Sequence, residues 1–405
     1  DETIEQTVDN EIRAQYAGME EEAAKNSLLP AILWRNSVDT AKIFCVNGDY
    51  LADISGVGIL DAMMGETYDY DIYPVINAQN LVIADLPAFV SENEEEMQKR
   101  YSQSAQAVYQ EIVWPSLTSI ASRTGAKMTC MMTPQFTYTD EEEPDGENVT
   151  YYLKRLKEEH AEAGLSADSR EGIPLSEKIK QDQTFWQTYA PSYRFLSLYA
   201  DGVKSIGEES ALPAEIRTVA LGSGASGQAV GYLNENVTLQ PSTSSGIRHT
   251  FLDDFKVKCM ETALGYSNIT LDLYSVTYPE GDEDSWEKMS KKIAANLGTY
   301  WKAYEAFDAT TLTESDVRIR RFLALDYKQQ RAGNVITLSL EHREDAAWFL
   351  LRLHGEKVTE VAGGSFEEIE DGVYLILAEE DEVSVEVQTG EEWQYQDGGK
   401  RGDGT

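Results

Sequence analysis

A short apolar run, Leu81 to Ala84, ends at Asp85 and is followed by Pro87. A run closed by a polar residue and a proline predicts a buried β-strand that ends at a loop. In barrels of parallel strands and helices, the residues at the carboxyl ends of the strands carry the chemistry. Asp85 is therefore the first candidate functional residue. The alternative is that it only caps the turn after the strand.

The same alternation of strand and helix continues along the chain. Further buried strands are predicted, and amphipathic helices separate them. The clearest helix carries one apolar stripe along its length. Strand followed by helix across residues 80–304 predicts a mostly parallel sheet or barrel with helices outside. The predicted strands are Lys127–Met132, Arg194–Tyr199, Ile216–Leu221 and Thr270–Val276, and the predicted helices are 93–113, 150–163, Phe255–Leu264 and Asp284–Tyr304.

Beyond residue 310 the pattern changes to short β-rich runs separated by turns such as Gly363-Gly364 and Asp371-Gly372. Such runs predict a small antiparallel β-sandwich. The sequence therefore predicts an α/β chain in which a barrel is followed by a β-sandwich. The expected parts are an N-terminal segment at 1–70 that ends an upstream domain or supports the barrel, the barrel at 71–308, the sandwich at 309–390 and a disordered tail at 391–405.

Acidic residues outnumber basic residues by 71 to 34, which gives a formal net charge of −37. A chain of this charge repels nucleic acid and anionic membranes, so neither is expected as a partner. Neutral or cationic partners, such as amino sugars, fit better, unless the acidity serves only solubility. No run of 18 apolar residues occurs, so no membrane-spanning segment is expected.

Metal and nucleotide motifs are weak in this sequence. The three cysteines lie far apart, and the four histidines show no HxxH or HxxxH spacing, so a sequence-local zinc site is not expected. Residues 222–227 match GxGxxG after a strand, but a poor helix opening follows, which favours a flexible loop over a dinucleotide site. His249, beside Arg248 and before Asp253, is the histidine best placed for a site; surface decoration is the alternative.

Four carboxylates fall near predicted strand ends or loops: Asp85, Asp253, Asp254 and Asp272. Glycoside hydrolases use two carboxyl groups that flank the bond to be cleaved. In a chain with 71 acidic residues, several fall near strand ends by chance. A carboxylate-based glycosidase arrangement therefore stays open.

The order of elements from Ile72 to Tyr304 resembles the NodB-like polysaccharide deacetylase barrel. It is most similar to the divergent bacterial branch of that family, which carries a β-sandwich after the barrel. In the family, the first strand ends in two aspartates, a general base and then a metal ligand. This chain has Ala84-Asp85 at that place. The resemblance therefore implies that the base is missing and that Asp85 remains as the metal ligand.

The family's second motif supplies two histidines, four residues apart, to the metal. The stretch His160–Ser166 resembles that motif in its order of residue types, but Leu165 and Ser169 occupy the two ligand positions. No histidine lies near Asn268–Asp272, where the family has its late catalytic histidine. Because Leu and Ser cannot replace imidazole on a divalent metal, the resemblance implies that the usual deacetylation has been lost. No cofactor is then expected, and a divalent metal is expected only if the site is active.

A carbohydrate groove would remain in that case. Aromatic side chains combine an apolar face with a polar tip and so stack on sugars. Packing in the core or at the rim of the barrel is the alternative interpretation for each of them. The candidate substrate-binding residues are Trp114, Tyr138, Trp186, His249 and Tyr274.

The first functional hypothesis is an extracellular or cell-surface protein that binds or organises an exopolysaccharide or cell-wall glycan. The chain begins Asp1 without an initiator Met or apolar leader, which predicts a processed fragment with its signal or anchor upstream. The second hypothesis is an enzyme on the same glycans, either a deacetylase with a relocated metal site or a glycosidase that uses Asp85 with another of the four acids. A structural module of a larger complex is the third.

Overall fold

The chain divides into two units, Asp1–Leu51 and Ala52–Thr405. In the first unit, strands β1 (Leu33–Val38) and β2 (Ala41–Val46) form an antiparallel hairpin. Residues 223–227 of the GxGxxG motif and the predicted tail at 391–405 lie outside the described residues. The computed structural model describes residues 33–38, 41–138, 143–170, 173–201, 212–222, 230–302 and 305–389.

The second unit alternates helices and strands and then continues as strands alone. Its helices are α1 (Gly56–Gly65), α2 (Glu94–Tyr101), α3 (Ala105–Val108), α4 (Trp114–Thr124), α5 (Val149–Glu158), α6 (Leu175–Tyr189), α7 (Phe251–Leu264), α8 (Tyr274–Thr277), α9 (Trp286–Asn296) and α10 (Leu312–Ala324), with π-helical turns at Tyr109–Val113 and Leu297–Trp301 and a 3₁₀ turn at Asp282–Asp284. None of the helices in the described ranges is long and apolar enough to cross a membrane.

The strands of this unit fall into an earlier and a later set. The earlier set is β3 (Tyr70–Val75), β4 (Ala78–Ala84), β5 (Met128–Met132), β6 (Glu162–Ser166), β7 (Ser197–Ala200), β8 (Thr218–Leu221), β9 (Gly231–Tyr232), β10 (Thr238–Pro241), β11 (Ser244–Ser245), β12 (Tyr266–Asp272) and β13 (Ala309–Thr310). The later set is β14 (Asp326–Ala332), β15 (Val335–Glu341), β16 (Ala347–Leu353), β17 (Glu356–Ala362), β18 (Gly364–Glu370), β19 (Val373–Ala378) and β20 (Glu382–Thr389).

One ten-stranded sheet forms the centre of the described chain, in the order β11-β12-β4-β5-β6-β7-β8-β10-β9, with β13 beside β4. Its strands pair in parallel except for β9, which is antiparallel to β10. The sheet curls back on itself, because β10 pairs with β8 and the next strand, β11, pairs with β12. The predicted α/β fold with a mostly parallel sheet is confirmed. Its finer assignment to the NodB type stays a prediction.

Side chains alternate between the two faces of this curled sheet. Leu81 and Ile83 of β4, with Ile269 and Leu271 of β12, pack against apolar side chains of α4, α5, α6 and α9 in the largest core. Helices therefore cover the outer face. The inner face has a smaller core, formed by Val82, Ala84, Met131, Tyr199, Ala220 and Leu312.

Polar side chains fill the inner face near the amino ends of the strands. Asn80 Nδ2 donates to Gln240 Oε1 at 3.0 Å, and Gln240 Nε2 donates to Thr218 Oγ1 at 2.8 Å. Thr238 Oγ1 donates to Asp316 Oδ1 of α10 at 2.6 Å. These bonds tie α10 to the amino ends of the strands. The carboxyl ends, where parallel sheets carry their sites, lie on the opposite side.

Glu261 of α7 is fully buried beside β4, and Gln79 Nε2 donates to its Oε1 at 3.1 Å. Burial raises the pKa of Glu261 from 4.5 to about 7, so the folded chain keeps a proton that the unfolded chain releases. This contribution to stability is complete below pH 4.5 and is lost as the pH rises through about 7. In the wild type, this group lowers the free energy of unfolding by about 3 kcal/mol between pH 5 and pH 8. The Glu261→Gln variant is expected to lack this decrease, and urea unfolding at the two pH values measures it.

Glu367→Gln, at an exposed position of β18, is the matched control and is expected to keep the wild-type decline. If the Glu261→Gln chain loses as much stability between the two pH values as the wild type, the buried carboxyl group is not the titrating group.

Two four-stranded antiparallel sheets follow, in the orders β14-β15-β20-β17 and β18-β19-β16-β3. Strand β15 buries every second residue, Ile336, Leu338 and Leu340. These side chains share one core with Phe349 and Ile376 of the other sheet, as in a β-sandwich. The antiparallel strands predicted beyond residue 310 are confirmed.

The sandwich and the curled sheet share segments of chain. Strand β3, which directly precedes β4, pairs with β16 of the sandwich, with Tyr73 opposite Leu350. Helix α10, although it lies beyond residue 308, bonds to β10 of the curled sheet through Thr238 and Asp316. The predicted domain boundary between 308 and 309 stays a prediction.

Candidate active site

Four aspartates lie where parallel strands of the curled sheet end: Asp85 follows β4, Asp168 follows β6, Asp201 follows β7, and Asp272 ends β12. Parallel neighbours bring these ends to the same edge of the sheet. The acids interact, because Asp168 and Asp272 raise the pKa of Asp85, and Asp201 raises the pKa of both Asp168 and Asp272. We call these four residues the carboxylate cluster.

Asp85 is the buried member of the cluster, with no exposed surface. Ser166 Oγ donates to its Oδ1 at 2.7 Å, while Oδ2 is buried without a hydrogen-bond partner among the described atoms. Its φ of 60° is a left-handed conformation that few residues other than glycine adopt. Burial, and then the charges of Asp168 and Asp272, raise its pKa well above 3.8. Asp85 is therefore a buried acid whose environment favours its protonated form, and not an exposed turn cap.

Asp168 is half-buried, and its carboxyl group titrates near neutral pH. Burial raises its pKa to about 7, with further contributions from Asp272 and Asp201. Lys178 and the backbone N–H of Asp201 act in the opposite direction. A carboxylic acid with this pKa can both give and take a proton under physiological conditions, as general acids in enzymes do.

Asp272 is the member of the cluster nearest to solvent. Part of its surface is exposed to water, while neighbouring protein atoms remove water from the rest of its surroundings. That surrounding protein raises its pKa above 3.8, and Asp201 adds to the rise. The backbone N–H of Tyr274 donates to Asp272 Oδ1 at 2.9 Å, and this bond and the charge of Arg248 lower the pKa. The pKa of this carboxyl group is thus raised less strongly than that of Asp85. A ligand from solvent can reach it.

The inner face beside the cluster is tightly fitted. The hydroxyl group of Tyr199 is near all four acids, and burial followed by their charges raises its pKa. A Cβ atom at Gly222 would lie 2.7 Å from Asp201 Oδ1 and 2.8 Å from Tyr199 Oη. Close packing against these two side chains therefore explains the first glycine of the GxGxxG motif.

A buried ion pair lies on the same side of the sheet. Lys178 Nζ of α6 is 2.6 Å from Asp182 Oδ2, and Lys178 is only 1% exposed. Tyr138 Oη donates to Asp182 Oδ1 at 2.6 Å, and the ammonium group lies 5.4 Å from the centre of the Tyr138 ring. Tyr138, predicted to stack on a sugar, thus has its hydroxyl group and one ring face committed to this pair.

The two tryptophans predicted to bind substrate lie in the core. Trp114 is 4% exposed and packs edge-to-face on Tyr152, with ring centres 5.6 Å apart. Trp186 is 8% exposed and packs on Phe89 at 5.9 Å. Neither offers a ring face to a ligand, because the helices around them fill the outer core. Their role is the core packing that was the alternative interpretation.

Tyr274 is the predicted substrate-binding residue that lies beside the cluster. It is half-buried, its N–H bonds to Asp272, and its ring stacks on Tyr278 with centres 5.1 Å apart. The guanidinium group of Arg170, two residues after Asp168, lies 4.3 Å from the centre of the Tyr278 ring. These contacts join Tyr274, Tyr278 and Arg170 into one group beside Asp272.

Asp253, Asp254 and His249 make local contacts at the start of α7. Asp253 Oδ2 accepts from the N–H of Thr250 at 2.8 Å and forms a capping box, and Asp254 pairs with Lys258 at 2.9 Å. His249 Nδ1 lies 2.6 Å from Ser244 Oγ, and its ring stacks on a tyrosine. Burial lowers the pKa of His249, which favours the neutral ring. The structure does not bring these three residues into the cluster.

The donor set does not fit a catalytic transition metal. Within the described ranges, no group of three His, Cys, Asp or Glu side chains is arranged to hold a metal ion. Asp85, the ligand implied by the deacetylase resemblance, directs one oxygen to Ser166, and its raised pKa favours the protonated form, which is a poor ligand. The roles of these acids are therefore assigned without a metal ion.

A cavity of about 840 Å³ lies near the amino ends of β8 and β10, away from the cluster. Arg217 and Arg320 line it, but Arg320 donates to the carbonyl groups of Arg217 and Asn236, and both arginines pair with Asp316. Because both arginines already bind groups of the protein, the cavity is a weaker candidate for a functional site than the carboxylate cluster.

Sequence reasoning missed Asp168, Asp201 and Lys178. The alternation of side chains along a strand could have indicated two of them. Asp168 lies two residues after Ser166, and Asp201 lies two residues after Tyr199. Alternation continued past the strand end places such pairs on the same face. For Lys178, no comparable signal exists in the sequence.

The model of one protein family, described as "Uncharacterised protein conserved in bacteria (DUF2194)", matches residues 8–171, which is less than half of the chain. No curated protein matches this sequence. Among solved structures, 16 chains match. Three of them are enzymes or candidate enzymes of glycans by their names.

A candidate polysaccharide deacetylase from Mycobacterium smegmatis has a TM-score of 0.36 and 8% identity, over 60% of this chain and 90% of that chain. The Bc1960 peptidoglycan N-acetylglucosamine deacetylase has a TM-score of 0.27 and 12% identity, over 59% and 87%. The endo-β1,6-glucanase BT3312 has a TM-score of 0.31 and 8% identity, over 77% and 83%. Likenesses of this size assign neither a fold family nor a function, so the carboxylate cluster carries the functional inference.

Proposed function

We propose that this chain is a carboxylate-based hydrolase that cleaves a glycosidic bond of a polysaccharide or oligosaccharide. The single observation behind the proposal is Asp168, an acid whose pKa is raised to about 7 beside other acids at the carboxyl ends of parallel strands. Acids whose environments push their pKa values apart are typical of active sites. A protein that only binds glycans has no need for such a group.

The roles follow from burial and exposure. Asp168, whose pKa is raised to about 7, donates its proton to the oxygen of the leaving sugar as the glycosidic C–O bond breaks. Asp272, exposed and the more easily ionised of the two, attacks the anomeric carbon or takes a proton from the attacking water, according to its distance from Asp168. Asp85 stays neutral and holds Ser166 in place beneath them.

The residues around the carboxylate cluster and the charge of the chain fit a neutral sugar polymer better than nucleic acid or an anionic lipid surface. A chain with a net charge of −37 repels nucleic acid and anionic lipid surfaces. Tyr274 and Tyr278, stacked on each other beside Asp272, bring aromatic side chains to this part of the fold, and aromatic side chains pack on sugar rings. We propose that the protein acts outside the cell or at its surface, where exopolysaccharides and cell-wall glycans occur.

Asp272→Asn provides the test. The purified chain is incubated with β-glucans and with chitin-type and partly acetylated glucosamine polymers, and new reducing ends and free acetate are measured. The wild type is expected to produce reducing ends from one of these polymers, and Asp272→Asn is expected to lower that rate by at least about 10²-fold. Activity should fall above pH 7, as Asp168 loses its proton, and again at acid pH, as Asp272 gains one.

Binding of a polymer without new reducing ends would overturn the proposal in favour of a glycan-binding protein. Acetate release without new reducing ends would overturn it in favour of a deacetylase.

A further inference from the structure

Lys178 is a buried cation in a strongly acidic chain. It is 1% exposed and is one of the largest side chains that the fold removes from water. Its ammonium group lies 2.6 Å from Asp182 Oδ2 and 3.4 Å from Thr133 Oγ1. Asp182 is held in turn by the hydroxyl group of Tyr138 at 2.6 Å. Asp182 and Thr133 therefore fix the position of the ammonium group.

That position is beside the carboxylate cluster. Thr133 directly follows β5, and β5 lies between β4, which leads to Asp85, and β6, which leads to Asp168. The ammonium group thus lies at the end of the strand between these two acids. Asp168 is also faced by Asp201 and Asp272, by the N–H of Asp201 and by the phenol of Tyr199. Lys178 adds a positive charge to this set and lowers the pKa of Asp168.

We propose that Lys178 is a positioning residue of the hydrolase suggested above: held by Asp182 and Thr133, its fixed positive charge keeps Asp168 a strong enough acid to release its proton to substrate. The inference rests on the proposed function for its meaning, although its physical effect on Asp168 can be measured separately. Without the ammonium group, the charges of Asp272 and Asp201 would act on Asp168 without this opposing charge, and Asp168 would keep its proton too firmly.

Stability alone does not account for this arrangement. Taking two charges out of water costs several kcal/mol, and replacement of a buried ion pair by apolar residues is often neutral or stabilising. The alternative is that the pair only fastens α6 to the curled sheet. In that case, an apolar replacement that preserves packing would leave the titration of Asp168 unchanged.

The experiment compares Lys178→Met, Lys178→Arg and the double variant Lys178→Met/Asp182→Leu, which avoids an unpaired buried charge. With ¹³C-labelled aspartate, NMR follows the carboxyl carbon of Asp168 as the pH changes. We expect the midpoint to rise by about one pH unit in Lys178→Met and in the double variant and to stay unchanged in Lys178→Arg. The alkaline limit of glycan hydrolysis should move upward by the same amount, and the rate at neutral pH should fall.

An unchanged midpoint in the folded double variant would overturn the inference and leave Lys178 a structural residue. A shifted midpoint with an unshifted alkaline limit would overturn it as well, because the charge would then not act through the catalytic proton. If the wild type cleaves no glycan, the proposed function fails first, and the NMR titration shows separately whether Lys178 controls Asp168.

Discussion

Asp168→Asn is expected to lower the rate of glycan hydrolysis by about 10²–10⁴-fold, the range for loss of a general acid. Asparagine matches the size of aspartic acid but has no proton to donate to a leaving oxygen. The remaining activity should also lose the alkaline limit near pH 7 that the titration of Asp168 gives the wild type. Initial rates from pH 5 to 9, measured by the release of reducing ends, check both expectations.

The effect on stability separates this loss from misfolding. Because its pKa is raised in the fold, Asp168 contributes stability below pH 3.8 that is lost as the pH rises through about 7. At pH 8 the Asn variant should therefore be at least as stable as the wild type. Asp381→Asn, on an exposed ion pair of the sandwich with Arg343, is the matched control and should keep full activity. Wild-type rates in Asp168→Asn would remove this residue from the mechanism.

Trp301→Ala is expected to destabilise the second unit by about 3–5 kcal/mol, the range for removing a large aromatic side chain from a core. Trp301 is 2% exposed and belongs to the core between the helices and the outer face of the curled sheet. Its carbonyl group also accepts from Gln79 Nε2 at 3.5 Å. Urea unfolding followed by circular dichroism measures the change in the free energy of unfolding.

Tyr68→Ala is the matched control, since Tyr68 is 55% exposed in the same unit and its loss should change stability by no more than about 0.5 kcal/mol. Equal midpoints for Trp301→Ala and the wild type would contradict the assigned packing.

The strongest helix shows how far sequence periodicity reaches. The stripe predicted for the helix Asp284–Tyr304 consists of Trp286, Met289, Ile293, Leu297, Tyr300 and Tyr304, and its first four members are buried. The chain then leaves the α-helical period in the π-helical turn Leu297–Trp301, so that Trp301 and not Tyr300 continues the buried face. Tyr304 lies outside the described residues. A period of 3.6 residues cannot foresee an inserted wider turn.

The candidate site was harder to predict than the fold. Asp85 and Asp272 were predicted as candidates because each lies near the end of a strand, which is a local property of the sequence. Their meeting with Asp168 and Asp201 depends on strand order in space, which the sequence does not display. The deacetylase motifs would place histidines in this region, whereas the chain has aspartates at its strand ends.

Burial explains why the chemistry was not visible in the sequence. An aspartate in a chain with 71 acidic residues looks ordinary until the fold removes it from water and places other acids beside it. For Asp85 and Asp168, desolvation is the largest cause of the raised pKa, and the neighbouring carboxyl groups come second. Both causes exist only in the folded chain.

The fold turns Asp168 into an acid that titrates near neutral pH. The most direct measurement is the pH titration of its carboxyl carbon by ¹³C NMR, assigned by the loss of the signal in Asp168→Asn. A midpoint near pH 7 is the predicted result. A midpoint near the ordinary value of 3.8 would show an ionised surface acid and would contradict the proposed acid-base site.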